Sequence, residues 1–279
     1  MDENIENQNI EITLLLEAIY LKYGYDFRDY AKSSIKRRVM RFMSLSRTNT
    51  ISEIQHKLIY DKDFFKRFLL DFSIHVTEMF RDPSFYKIIK EKVIPLLRPL
   101  PFIKIWHAGC STGEEVYSMA ILLKEENLYE KTRIYATDFN ESVINKAKEG
   151  IYPLDKMKDY SYNYQKAGGT SDFELYYTSS YEFVLMKKFL KENIVFADHN
   201  LATDSIFGEM NMIICRNVLI YFNKNLQNKV IKLFRDSLCE GGFLCLGTKE
   251  SLIFSKYVNE FEEFASKEKI YLYKGSHYR

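Results

Sequence analysis

Several polar residues in this chain stand where an apolar run breaks off, and each could do chemistry there. The run Ile103-Lys104-Ile105-Trp106 leads into Ala108-Gly109-Cys110-Ser111-Thr112-Gly113-Glu114, and a helical pattern follows. A strand that turns on small residues into a helix brings backbone N–H groups close to a flat ligand. Asp138 comes twenty-five residues after Gly113, at the end of Arg133-Ile134-Tyr135-Ala136-Thr137. A carboxylate at that point can accept hydrogen bonds from both hydroxyls of a ribose. It could also cap the next helix, a task Asn140 would do equally well. Arg216 and Asn217 follow Ile213-Ile214-Cys215, at the sheet edge where open α/β folds place ligands. The turn lacks G-x-G-x-x-G, so the close pyrophosphate approach of dinucleotides is missing. A nucleoside without phosphates fits better, and S-adenosylmethionine is one. The prolines that amine-methylating enzymes carry beside such a strand are absent.

The elements needed to position these groups can be read from the rest of the chain. Its 279 residues have room for an α/β domain and a smaller companion. The net charge of +2 gives no case for nucleic acid. No run approaches the ~18 apolar residues of a membrane span, and the acidic start is unlike a secretory signal. Cys110, Cys215, Cys239 and Cys245 form no C-x-x-C pair and read as buried free thiols. The five histidines share no metal-ligand spacing, so no metal and a cytoplasmic location are expected.

Residues 1–72 read as an all-helical domain. Ile12, Leu15, Leu16, Ile19, Tyr20 and Tyr23 recur at three and four up to Gly24. A second helix is expected from about Arg28 to Leu45, with Ile35, Val39, Phe42 and Met43 inward, and two shorter ones near 51–60 and 62–72. A linker and connecting helix occupy 73–102, with Asp82 as N-cap and Pro83 at the first helical position. Prolines 95, 99 and 101 should end that helix. From 103 to 279, strands at 103–107, 133–137, 194–197, 212–215, 243–246 and 270–273 alternate with helices near 114–126, 141–149 and 224–238. That alternation predicts a mostly parallel sheet covered on both faces. An insertion at about 155–192 should carry a small antiparallel hairpin turning on Thr178-Ser179-Ser180.

Taken together, Val76-Thr77-Glu78-Met79-Phe80-Arg81-Asp82-Pro83, Ser111-Thr112-Gly113-Glu114-Glu115, Ala136-Thr137-Asp138, His199-Asn200-Leu201 and Cys215-Arg216-Asn217-Val218-Leu219-Ile220-Tyr221-Phe222 resemble the CheR-type chemoreceptor glutamate methyltransferases. The resemblance implies an all-helical N-terminal domain, a linker and a class I S-adenosylmethionine-dependent methyltransferase domain, Rossmann-like, with an inserted antiparallel β-subdomain. It places cofactor contacts at His75, Thr77, Arg81, Glu115, Asp138, Asn200, Leu201, Arg216 and Asn217. Glu115 would meet the methionine part, Asp138 the ribose, and Asn200 and Leu201 the adenine. Arg81 and Tyr221 would flank the reacting centre. His75 stands where the family usually has Asn.

The implied reaction forms glutamyl methyl esters on chemoreceptors and leaves S-adenosylhomocysteine. A glutamate has a reference pKa of ~4.3 and needs no general base at neutral pH. What remains is alignment at about 3 Å and exclusion of water. Arg37, Arg38 and Arg41 read as one basic helix face, which the resemblance makes a docking surface for the helical cytoplasmic domain of a receptor. Some members capture a receptor tail on a glycine-bearing loop of the β-subdomain, and the glycine-free turn expected here predicts no tight capture. The expected state is a monomer without nucleic acid or membrane insertion. Two other readings are a cofactor-binding signalling module that methylates nothing and a methyltransferase for another substrate.

Overall fold

The computed structural model describes residues 3–72 and 77–275, with side chains from Ile5 onward. His75 therefore lies outside the described residues. The chain divides into two units, one of Met1–Ile74 with Ile220–Val230, the other of His75–Leu219 with Ile231–Arg279.

The first unit is helical. α1 (Glu3–Tyr23) stops at Gly24, whose φ of 77° lets its N–H close onto the Tyr20 carbonyl. α2 (Lys32–Ser46) begins four residues later than expected. The preceding segment is drawn off instead: Tyr30 bridges Phe222 in antiparallel fashion, and the Ala31 N–H donates to the Tyr221 carbonyl at 2.8 Å. α3 (Ile51–Tyr60) is capped by Thr50, which accepts from the Glu53 N–H, while the Glu53 carboxylate accepts from the Asn49 N–H. α4 (Lys62–Phe72) completes a core built on Leu15, Ile19, Val39, Ile54, Phe68 and Phe72.

The second unit opens with α5 (Pro83–Ile88), which runs through a π turn at Ile89–Val93 into α6 (Ile94–Leu97). Of the three prolines expected to end the helix, Pro95 lies within it, and the helix stops at Leu97, ahead of Pro99 and Pro101. The π turn lies just before Pro95 and accommodates the missing N–H. Asp82 is in the N-cap position, but at φ 53° its carboxylate makes no cap and turns elsewhere.

Seven strands form the main sheet: β1 (Ile103–Ala108), β2 (Thr132–Asp138), β6 (Ile194–Asp198), β7 (Met210–Cys215), β8 (Leu238–Leu246), β9 (Phe261–Ala265) and β10 (Ile270–Tyr273). Their order is β6-β2-β1-β7-β8-β10-β9, parallel from β6 to β8 and antiparallel at β10 and β9. The order reverses between β1 and β7, so their carboxyl ends frame the switch-point crevice. α7 (Glu114–Glu125) follows β1 and α8 (Glu141–Glu149) follows β2, with α10 (Lys224–Ser237) between β7 and β8.

Strand β9 was not expected. A second sheet of β3 (Ile151–Pro153), β4 (Tyr177–Ser180) and β5 (Phe183–Met186) has the order β3-β5-β4, with α9 (Met157–Lys166) between its first two strands. It begins at Ile151. Its hairpin turns on Tyr181-Glu182, with Tyr181 at φ 49°, because Thr178, Ser179 and Ser180 pair with Leu185, Val184 and Phe183. Cys110, Cys215, Cys239 and Cys245 are free.

Candidate functional site

The β1–α7 turn is held by the tip of β2. Gly109 and Cys110 both donate their N–H groups to the Thr137 carbonyl at 2.8 Å, and the Ser111 N–H donates to Asp138 Oδ2 at 3.0 Å. This differs from the expected loop of N–H groups aimed at a ligand, since these three are spent on β2. The geometry needs Gly109: its φ is 79°, and a Cβ there would come within 2.6 Å of a Val218 methyl. Gly113, at φ 93°, would meet Ala147 at 2.9 Å.

Asp138 is buried and also accepts from the Asn140 N–H at 3.1 Å. Burial pushes its carboxyl up to about 6, against the pull of backbone N–H groups from Asn140, Ser111 and Phe139. A carboxylate has about four acceptor sites, so these three donors leave room for a hydroxyl. The next helix is capped by Asn140, which accepts from the Ser142 N–H at 3.0 Å. Asp138 is thereby released from the capping alternative.

Across the switch point lies a buried ion cluster. Arg216, whose side chain is 1% exposed, donates from Nη1 to Glu115 Oε2 at 3.1 Å and from Nη2 to Asp82 Oδ2 at 2.5 Å. Nη1 also reaches the Arg81 carbonyl at 3.3 Å, and the guanidinium lies 4.2 Å over the Phe85 ring. Glu115 Oε1 faces His107 Nδ1 at 3.0 Å. Burial alone would raise the Glu115 carboxyl, but the His107 hydrogen bond and the Arg216 charge hold it below the usual range. Burial opposes the Arg216 charge too, and Glu115, Tyr86 and Asp82 outweigh it upward. Asn217, at φ 63°, gives its N–H to Glu250 Oε2, which also accepts from Gly247.

The structure thus joins Glu115, Arg216 and the Arg81 backbone, and fixes Asp138 to the glycine turn. Asn200 opens the loop after β6, its side chain accepting from the Ala202 N–H, and Leu201 is buried. Thr77 is half-buried. His107, Asp82 and Glu250 were not read as site residues from the sequence. Asp82 was read only as a cap, and His107 was read only as the last residue of the strand expected at 103–107, eight residues before Glu115.

Tyr221, Arg37, Arg38 and Arg41 belong to the first unit. The expected basic face is corrected at Arg38. Position 38 is three after Ile35 and four before Phe42, on the core side of α2. Arg38 is buried, donates to the Phe72 carbonyl at 2.6 Å and lies 4.3 Å over the Tyr221 ring. Arg37 is exposed, and Arg41, 67% exposed, pairs with Asp71 at 3.4 Å.

These groups fit S-adenosylmethionine. Asp138 could take a ribose hydroxyl, and Glu115 is an anion that could meet the ammonium of the methionine part. The cofactor supplies an electrophilic sulfonium methyl. If only the ionised Asp138 accepts ribose, affinity for S-adenosylhomocysteine falls about tenfold per pH unit below about 6 and levels off above it. Calorimetry from pH 5 to 8 reads this directly. The stability of the ligand-free chain has the opposite sign: a raised Asp carboxyl favours folding at low pH, and that contribution is lost as pH rises from 3.8 to about 6.

Comparison with known proteins gives two family matches. The CheR methyltransferase SAM binding domain matches residues 75–270, and the CheR methyltransferase all-alpha domain matches residues 10–73. Cher3 of Pseudomonas putida is 51% identical over 265 residues, covering 95% of this chain and 97% of its own. The chemotaxis protein methyltransferase of Listeria innocua is 28% identical over 232 residues, covering 82% of this chain and 86% of that one. The protein of the same name in Borreliella burgdorferi is 27% identical over 267 residues, with 89% and 90% covered.

Proposed function

The chain belongs to the CheR methyltransferase family, and from that premise we propose that it methylates glutamate side chains on the cytoplasmic helical domain of chemoreceptors. The products are glutamyl methyl esters and S-adenosylhomocysteine, and the protein works as a cytoplasmic monomer. Among the described residues, no helix is long and apolar enough to cross a membrane. The observation that carries the reading is the Glu115–Arg216–Asp82 cluster at the switch point, which fixes the backbone of Arg81.

The residues have a limited task. The accepting carboxylate is ionised at neutral pH, so a new C–O bond forms with no proton to move. Arg81 orients a carboxylate by charge and paired N–H groups, while Glu115 holds the methionine part of the cofactor and Asp138 its ribose. Tyr221 is the second residue proposed to act at the reacting centre, and Tyr221→Phe tests its hydroxyl. The primary experiment incubates the protein with labelled methyl donor and receptor-bearing membranes. Base-labile methanol release is expected, and methyl transfer that survives base would sink the glutamate reading.

Arg37 and Arg41 are the proposed docking cations. Exposed charges separated by a Debye length of about 8 Å are screened at physiological salt. The kcat/KM on intact receptor should therefore fall as salt rises. Arg37→Glu with Arg41→Glu should lower it about tenfold, with affinity for S-adenosylhomocysteine unchanged. Salt-independent methylation would remove the docking role.

A further inference from the structure

His107 closes the inner end of the ion cluster. It sits in β1 one residue before the glycine turn, and its side chain is fully buried. Its Nδ1 lies 3.0 Å from Glu115 Oε1, while Glu115 Oε2 accepts from Arg216. Glu115 is held ionised and can only accept, so the proton between them belongs to Nδ1. Nε2 is buried and has no hydrogen-bond partner among the described residues. The strand therefore carries a polar ring at a cost, since an unpaired buried polar atom is unfavourable. Among the described residues, Glu115 is the one polar contact of that ring.

A carboxylate gripped by Arg216 alone could still swing about its side-chain torsions. A second donor fixed on a β-strand, approaching the other oxygen, leaves one orientation. Glu115 is in the first turn of α7, and Arg216 is at the end of β7. His107 thus ties the strand on one side of the switch point to an ion pair that spans it.

We propose that His107 is a positioning residue for cofactor affinity, holding Glu115 in the orientation that both bridges Arg216 and meets the methionine end of S-adenosylmethionine. This rests on the reading that Glu115 contacts that end of the cofactor. His107 touches neither cofactor nor substrate and acts through Glu115 alone.

Four variants test it, with S-adenosylhomocysteine as the calorimetric probe, kcat and KM as kinetic readouts, and the melting midpoint as a check on folding. His107→Leu removes the donor, and His107→Asn keeps an N–H near the Nδ1 position. His107→Gln places its amide toward the Nε2 position, so it serves as the donor-misplaced variant if the Leu form does not fold. Glu115→Gln tests the underlying reading. His107→Leu and His107→Gln should raise the Kd for S-adenosylhomocysteine and the KM for S-adenosylmethionine about 10-fold, with kcat changed by less than about 3-fold. His107→Asn should return Kd to within about 3-fold of the parent. An unchanged Kd in the Leu or Gln variant, with Glu115→Gln impaired, overturns the inference and leaves Glu115 its role. An unchanged Kd in Glu115→Gln overturns that role and the inference with it. An Asn variant as weak as the Leu variant at equal melting midpoint also overturns it, because shape rather than a donor would then be what matters.

Discussion

Arg216→Met is expected to abolish measurable binding of S-adenosylhomocysteine and to lower the unfolding free energy by about 3 kcal/mol. Methionine keeps an unbranched apolar stem but loses the guanidinium that lies over Phe85, so the loss reports the charged group as a whole. Removing one member of a buried ion cluster strands the others, and Glu115, 18% exposed, would lose the cation that helps to hold its carboxyl low against burial. Asp82 is 36% exposed, and solvent screens it enough that its share of the loss is small. The Arg81 carbonyl also loses its Nη1 donor, which removes one hold on the segment that carries Arg81.

The pH dependence gives an independent sign. Glu115 has its carboxyl lowered from 4.5, so its contribution is present above that value and lost as pH falls through the folded-state value. The gap between parent and variant in urea unfolding should therefore be largest near neutral pH and narrow below about 4.5. A gap under about 1 kcal/mol at pH 7 would mean that the cluster is no more than a surface pair.

What the sequence made legible was local. The β1–turn–α7 unit, Asp138 at the tip of β2 and Arg216 at the end of β7 each announce themselves within ten residues, through apolar runs ending in small or polar ones. The partners of these residues did not. Asp82 meets Arg216 across 134 positions and Glu250 meets Asn217 across 33, distances over which no periodicity speaks. Asp82 was also masked by its own chemistry, since an Asp before Pro reads as a cap wherever it goes. Arg38 was misplaced because charge was weighed above spacing, although its offsets from Ile35 and Phe42 already set it on the core side. α2 began late because Tyr30 and Ala31 pair with Phe222 and Tyr221, a nonlocal choice. Strand β9 went unread because Glu262 and Glu263 break its apolar pattern on an edge strand that tolerates charge.

The second large effect expected is at Arg81, where Arg81→Ala lowers kcat for receptor methylation by about 10²–10³-fold. The backbone argues for a tuned position. Phe80 and Asp82 on either side both have φ of 53°, a region that side chains other than glycine seldom adopt. Each such residue costs on the order of 1 kcal/mol and persists only where its surroundings impose it. Here the Phe80 N–H donates to Ser118 Oγ at 2.8 Å, and Asp82 is drawn to Arg216. Arg81 is held between two fixed neighbours, which suits a side chain that must present its guanidinium in one direction.

Calorimetry then decides which carboxylate it serves. If it orients the accepting glutamate, kcat and the receptor KM change while the Kd for S-adenosylhomocysteine stays put. If it holds the methionine carboxylate, that Kd rises in step. Arg81→Lys keeps the charge but loses the planar fork, so it should recover only part of the activity. Full turnover in the alanine variant would remove Arg81 from the reaction. The strained pair around it would then be a means of docking Asp82 onto Arg216.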